Sequence, residues 1–144
     1  MSLKIYLEIR FYNMIKINVL FFLLTLFSAM AFSQNMDCSR FHEGKFRIAD
    51  TRAGVVTIAE RKGIYQIESS EALKLIVRFK IAWQNNCYYI LRLDKVLRNE
   101  NKLNIPSDLE FRVKIIETAT NSYTQEISSS LTNEIYNVFV RKIY

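Results

Sequence analysis

The sequence predicts an all-β domain: an antiparallel meander of about seven to eight strands, curled into a small barrel or a sandwich and preceded by a signal peptide. Three observations support this. Beyond position 33, apolar residues recur at every second position, which places them on one face of a strand. Half of the 144 residues are hydrophobic and 13% are aromatic. The length suits a single domain.

Residues 1–33 are predicted to be a signal peptide region. Lys16 precedes an apolar run at 19–27, and Ala31 and Ser33 supply a small-x-small cleavage pattern. The alternative is an uncleaved membrane anchor, but the run is shorter than the ~20 residues that span a bilayer. We therefore expect a single exported domain, residues 34–144, in the periplasm or outside the cell.

Met14 is a second candidate for the start of translation. Removing residues 1–33 takes away three of the 20 basic and one of the 14 acidic side chains, which leaves 17 and 13. The resulting net charge of about +4 favours solubility. A nucleic-acid binder would concentrate more positive charge on one face, so nucleic acid is not an expected partner.

Both cysteines, Cys38 and Cys87, lie in the exported region. Because exported cysteines enter an oxidising compartment, we predict one disulfide between them. The bond would close a long loop and stabilise the folded state by about 4 kcal/mol on the chain-entropy model. Free buried thiols or a redox pair are the alternatives, although the Cys-x-x-Cys spacing is absent.

Six of the predicted strands flank a longer central hairpin. They are 45–50, 55–60, 64–68, 109–115, 123–127 and 135–143. Glycines stand at the starts of the first three, where they favour turns. A three-residue loop at 120–122 sets Ile115 opposite Ile127. A two-residue loop would set Ile115 opposite Glu126 and bury a charge or expose an isoleucine, so we reject it.

The central hairpin is predicted from the alternating runs 73–83 and 87–93. A three-residue loop at 84–86 pairs Trp83 with Cys87 and Phe79 with Leu91, so that apolar residues meet across the strands. The polar stretch at 94–108 is predicted to be a surface loop.

The sequence offers few residues suited to catalysis. His42 is the single histidine, which excludes most hydrolase and zinc arrangements. The three glycines, Gly44, Gly54 and Gly63, have neither P-loop nor dinucleotide spacing. We therefore expect no catalytic residues, no cofactor and no metal site.

A carboxylate-dependent enzyme remains an alternative, because paired acids catalyse reactions without histidine. The candidate pairs are Glu68 with Glu71 and Glu117 with Glu126. Such chemistry requires two carboxyl groups roughly 5 to 10 Å apart in one cleft.

The predicted outer face carries a candidate anion or partner patch. Its members are Arg78, Lys80, Arg92, Arg112 and Lys114. The hairpin register sets Arg78 opposite Arg92, and like charges in that position cost stability unless a phosphate, a glycan or an acidic protein binds there. The alternative is a solvated face that Asp94 and Glu110 neutralise locally.

The predicted inner face suggests a second kind of site. Phe79, Trp83, Tyr89 and Phe111 could line a cavity, as in lipocalin-like carriers of small apolar molecules. An internal cavity above ~300 Å³ would favour a carrier. A domain of about 111 residues more often has a packed core, which is the alternative.

Three segments of the chain resemble a family of small exported proteins of flavobacteria and their relatives. They are Cys38 to Phe46, Lys80 to Tyr89 and Val113 to Glu117. The resemblance implies export and paired cysteines and brings no active-site residue. Some members are labelled DNA topoisomerase IV, an activity that requires a nucleotide-binding module or a DNA-cleaving tyrosine in a much larger scaffold. An exported domain of about 111 residues is too small for this scaffold, so we do not expect that activity.

The function favoured by the sequence is thus non-enzymatic, either binding or a cell-envelope role. The sequence does not identify the partner and leaves a protein, a glycan and a small apolar ligand open. Contact with a membrane is expected only through the signal segment before cleavage.

Overall fold

A computed structural model describes residues 36–144. The predicted signal peptide lies outside these residues. The described chain contains one 3₁₀ turn, Ser39–Phe41, followed by eight strands: β1 Gly44–Asp50, β2 Val55–Lys62, β3 Tyr65–Ser70, β4 Leu75–Asn85, β5 Tyr88–Asn99, β6 Glu110–Thr118, β7 Ser122–Ser129 and β8 Thr132–Lys142.

The eight strands form a closed antiparallel barrel, which confirms the all-β prediction and decides between barrel and sandwich. Each strand pairs with the next in sequence, and β1 pairs with β8 to close the cylinder. The alternation of residues places one set of side chains inside. On β4, for example, Val77, Phe79 and Ile81 are buried, whereas Lys80 is exposed. Closure leaves no strand edge unpaired.

The central hairpin has a different register from the predicted one. Trp83 lies opposite Tyr89, and Phe79 lies opposite Leu93, two residues further along β5 than predicted. Two changes combine: the turn lies at residues 86–87, since Asn85 is opposite Tyr88, and an irregularity between Trp83 and Asn85 adds one residue to β4. The predicted opposition of Arg78 and Arg92 is consequently wrong.

The β6–β7 hairpin also departs from its predicted register. Ile115 lies opposite Gln125, and Val113 lies opposite Ile127. Two changes combine: the turn has two residues, 120–121, since the Ala119 amide donates to the Ser122 carbonyl, and a bulge between Ile115 and Glu117 adds one residue to β6.

The prediction of a three-residue loop is therefore wrong, and the rejected two-residue loop is present. The bulge prevents the pairing of Ile115 with Glu126 that this loop would otherwise impose, and the predicted pairing with Ile127 is wrong as well. Gln125 is buried on the inner face, as it would be in the predicted register, because a shift of two residues preserves the faces.

The predicted loop at 94–108 is shorter than expected. Strand β5 continues to Asn99, because Val96 still pairs with β4 and packs against the core. The remaining loop places Ile105 and Leu109 against the core cluster. It joins the barrel at the end opposite the start of β1, which we call the open end.

The other end of the barrel, the closed end, is covered by residues 36–43, which we call the plug. The predicted disulfide between Cys38 and Cys87 is present and ties the plug to the β4–β5 turn. Phe41 is fully buried, with its ring 4.8 Å from that of Tyr123. The His42 ring stacks on Trp83 at 3.7 Å.

Hydrogen bonds fasten the plug to other parts of the same end. Arg40 donates to the Ala119 carbonyl in the β6–β7 turn at 2.7 Å. The Glu43 carboxylate accepts from the Gly63 amide in the β2–β3 turn at 3.2 Å. Lys142, in the last strand, donates to the carbonyls of Arg40 and Glu43. The plug thereby holds the closed end together.

Candidate functional site

A charged side chain, Arg61, is buried just inside the plug. Alternation along β2 turns Thr57, Ala59 and Arg61 inward, and the Arg61 residue is only 2% exposed. The sequence analysis missed it because it ended this strand at 60. The signal was available, since the same alternation continued by one residue places 61 on the inner face.

The guanidinium of Arg61 is bound on all sides by the protein. Its Nε donates to Gln66 Oε1 at 2.5 Å, and its Nη1 donates to the Phe41 carbonyl at 2.8 Å. Its Nη2 donates to the hydroxyls of Tyr89 and Tyr123 at 2.5 and 2.9 Å. An arginine keeps its charge in a protein. These bonds supply the acceptors that a buried cation requires.

The network continues from Arg61 toward the centre of the barrel. Gln66 accepts from Arg61 and, through Nε2, donates to Glu68 Oε1 at 2.5 Å. A side-chain amide therefore links a buried cation to a partly buried carboxylate. The Tyr89 hydroxyl donates to Gln125 Oε1 at 3.0 Å. Burial raises the pKa of Tyr89 and of Tyr123, so both phenols are neutral at neutral pH.

A cavity of about 140 Å³ lies on the open side of this network. Its walls carry both polar and apolar groups. The lining residues are Ile48, Asp50, Thr57, Gln66, Glu68, Tyr89, Leu91, Phe111, Val113, Gln125, Ile127, Tyr136 and Val138. The inner part ends on Gln66, Tyr89 and Gln125, which are buried, whereas Asp50 and Tyr136 are partly exposed toward the open end.

Glu68 presents an oxygen to the cavity. Gln66 is the one side chain of residues 36–144 that donates to its carboxylate, and it donates to Oε1. Glu68 lines the cavity. Within residues 36–144, Arg98 Nε is the only fully buried side-chain polar atom that lacks a hydrogen-bond partner, so the unpartnered Oε2 of Glu68 is not fully buried. The second oxygen, Oε2, therefore has the cavity as its remaining environment. The Glu68 residue as a whole is partly buried.

The pKa of Glu68 is raised above the ordinary glutamate value. Burial is the largest cause, and the Gln66 hydrogen bond and the charge of Arg61 oppose it only in part. The ionised form of Glu68 is thus less stable in the folded protein than in the unfolded chain. A carboxylate that weakens its own fold is typical of a functional position.

We expect Glu68→Gln to be more stable than the wild type at neutral pH, with a difference that disappears in acid. Because the native state holds this proton more tightly, unfolding releases it, and wild-type stability falls as pH rises from the ordinary glutamate pKa through the raised one. The variant lacks this loss. Urea unfolding between pH 4 and pH 8 measures the free energy of unfolding of both proteins, with Glu60→Gln on the exposed face as the control. Equal pH dependence of the variant and the wild type would contradict the assignment.

The four predicted cavity residues separate into two groups. Tyr89 and Phe111 line the cavity. Phe79 packs in the core with its ring edge toward Phe111, at 5.8 Å, and does not line the cavity. Trp83 lies near the closed end, between His42 and Tyr89. The cavity is about half the ~300 Å³ expected of an apolar carrier.

The predicted basic patch is largely neutralised by acidic neighbours. Asp94 lies 2.6 Å from Arg78 and 3.7 Å from Lys80. Glu110 lies 2.8 Å from Arg92 and 3.2 Å from Arg112. The fifth member, Lys114, lies opposite Glu126 across β6 and β7. This arrangement matches the alternative in which Asp94 and Glu110 compensate the charge.

The structure does not bring the predicted carboxylate pairs together in one cleft. Glu71 is exposed and forms an ion pair with Arg98 at 3.1 Å, outside the cavity that Glu68 lines. Glu117 is exposed, opposite Thr124, while Glu126 belongs to the outer face. The second acidic residue that lines the cavity with Glu68 is Asp50. The sequence analysis did not select Asp50 as a site residue, because Asp50 is the last residue of β1 and comes directly before a turn.

No helix in residues 36–144 is long and apolar enough to cross a membrane. No group of three or more His, Cys, Asp or Glu side chains in the same range is placed to hold a metal ion.

The chain was also compared with known proteins. No protein-family model matches it, and no match was found among curated proteins or among solved structures.

Proposed function

We propose that this protein is an exported, non-enzymatic barrel that binds a small molecule in its internal cavity. The observation that carries the proposal is the cavity itself, which ends on a polar network and is walled elsewhere by apolar side chains. Pockets that fix a ligand by a few polar groups within an apolar lining are typical of small-molecule sites.

The size of the cavity limits the ligand. A protein cavity of about 150 Å³ accommodates benzene, so a space of about 140 Å³ accommodates a molecule, or part of one, with roughly six to eight non-hydrogen atoms. The expectation of a purely apolar ligand is replaced here by a ligand with a compact apolar body and one hydrogen-bonding group. Leu91, Phe111 and Val138 offer the apolar contacts, and Glu68 and Gln125 the polar ones.

The architecture supports binding from one side only. The plug covers the closed end and is held by the disulfide and by Arg61, so a ligand enters past Asp50 and Tyr136. Binding at the cavity is better supported than binding at the basic patch, because acidic residues already neutralise most of that patch. The disulfide agrees with a protein that works outside the cytoplasm.

The test is an NMR screen of the exported, ¹⁵N-labelled protein against molecules of six to eight non-hydrogen atoms, both charged and neutral. Binding in the cavity is expected to shift the side-chain amide signals of Gln66 and Gln125. Val138→Phe, which fills the cavity, is expected to abolish these shifts, and Asn137→Phe, on the exposed face of the same strand, to preserve them. Leu91→Phe serves if Val138→Phe does not fold. A screen in which no molecule shifts either amide contradicts the proposal.

A further inference from the structure

We infer that the ligand of this cavity is a small organic cation, a protonated amine with a compact apolar body, and that Glu68 binds its ammonium group. This inference rests on the proposed function and names the chemical class of its ligand. It depends on three features of the cavity: the charge of its lining, the unsatisfied oxygen of Glu68 and the position of the nearest arginines.

The charged residues that line the cavity are all acidic. Asp50 and Glu68 contribute carboxylates, and no lysine, arginine or histidine lines this space. The Asp50 carboxylate accepts backbone hydrogen bonds through Oδ1, from Arg52 and Ala53, at the start of the next turn. A cation entering from the open end therefore passes one carboxylate and reaches a second. Such an arrangement attracts cations and repels anions.

Glu68 has the free capacity that an ammonium group requires. Its Oε1 is bound by Gln66, and its Oε2 is left to the cavity. An ammonium donor placed there forms a charge-assisted hydrogen bond, which is shorter and stronger than a neutral one. The ammonium group also gives the Glu68 carboxylate, whose charged form is disfavoured by burial, a neighbour of opposite charge. The same ligand places its apolar body against the rings and methyl groups of the wall.

The nearby arginines do not make the cavity an anion site. Arg61 is 2% exposed and does not line the cavity, and its bonds go to Gln66, Phe41 and the two tyrosines. Arg52, near the open end, lies over the Tyr136 ring at 4.2 Å and 4.0 Å from Glu134. An anion would have to approach two carboxylates without reaching either guanidinium from inside the cavity.

The test compares three probes of nearly the same shape: benzylammonium, benzyl alcohol and benzoate. Their dissociation constants are measured at pH 7 by following the Gln66 and Gln125 side-chain amides. We expect benzylammonium to bind at least tenfold more tightly than benzyl alcohol, and benzoate to bind most weakly. Glu68→Gln is expected to remove the preference for the cation, and Glu60→Gln on the exposed face to retain it.

Each other outcome overturns the inference in a recognisable way. Equal binding of benzyl alcohol and benzylammonium shows a site for neutral molecules, which leaves the proposed function standing. Tighter binding of benzoate shows an anion site. A preference for the cation that survives in Glu68→Gln removes Glu68 as the binding group. If none of the probes or of the screened molecules shifts the two amides, the proposed function fails as well.

Discussion

Replacement of Arg61 by methionine is expected to destabilise the protein by about 3–5 kcal/mol, the usual cost of removing one partner from a buried ionic network. Methionine fills similar space, so the loss reports the missing charge and donors. It leaves the Gln66 and Phe41 oxygens without their donor and Glu68 without its cation. Because stabilities of small domains are about 5–15 kcal/mol, this is a large fraction of the total. Urea unfolding at pH 7 measures it.

Two further variants serve as controls for Arg61→Met. Lys62→Met changes the exposed neighbour on the same strand and is expected to cost less than about 0.5 kcal/mol, as surface substitutions usually do. The double variant Arg61→Met with Glu68→Gln removes both charges and is expected to recover part of the loss, since the two residues are coupled. If Arg61→Met unfolds at the same urea concentration as the wild type, the network does not support the barrel.

Loss of the disulfide is expected to cost about 4 kcal/mol on the chain-entropy model, given its long loop. The bond joins residues that are 49 positions apart. It also fixes the plug over the closed end, so the Cys38→Ala, Cys87→Ala variant is expected to exchange the Phe41 amide hydrogen faster, because that amide bonds to the Cys38 carbonyl. Urea unfolding and hydrogen exchange measure the two effects.

Reductant provides the matched control for the disulfide. It is expected to lower the stability of the wild type to that of the double-alanine variant and to leave the variant itself unchanged. Identical unfolding of the oxidised and reduced wild type would show that the bond contributes nothing to stability. Unchanged exchange at Phe41 in the variant would show that the hydrogen bonds of Arg40, Glu43 and Lys142 hold the plug without the disulfide.

Alternation of apolar residues was sufficient to locate all eight strands. The run from Leu75 to Trp83, for example, has the inner and outer faces that the sequence predicts. The pairing registers were not accessible in the same way. An extra residue near Gln84 or at Ile116 changes which residues are opposite each other and leaves the pattern on either side intact. A register shift of two residues also preserves the faces, so no apolar mismatch reveals it.

The candidate site was predicted only in part, for a related reason. Tyr89 and Phe111 belong to the alternating apolar positions of their strands and were assigned to the inner face correctly. Arg61, Gln66 and Glu68 are polar residues at inner positions, which a search for hydrophobic periodicity does not select. The partners that satisfy Arg61 include Tyr89 and Tyr123, which are 28 and 62 positions away in the sequence. Only closure of the barrel brings these residues together.

A crystal structure of the protein with benzylammonium tests the central claim most directly. The account predicts the ring of the probe between Leu91 and Phe111, inside the barrel, and its nitrogen about 3 Å from Glu68 Oε2, the distance of a hydrogen bond. A probe bound on the outer surface, or one inside the barrel with its nitrogen at Asp50 and away from Glu68, would contradict it.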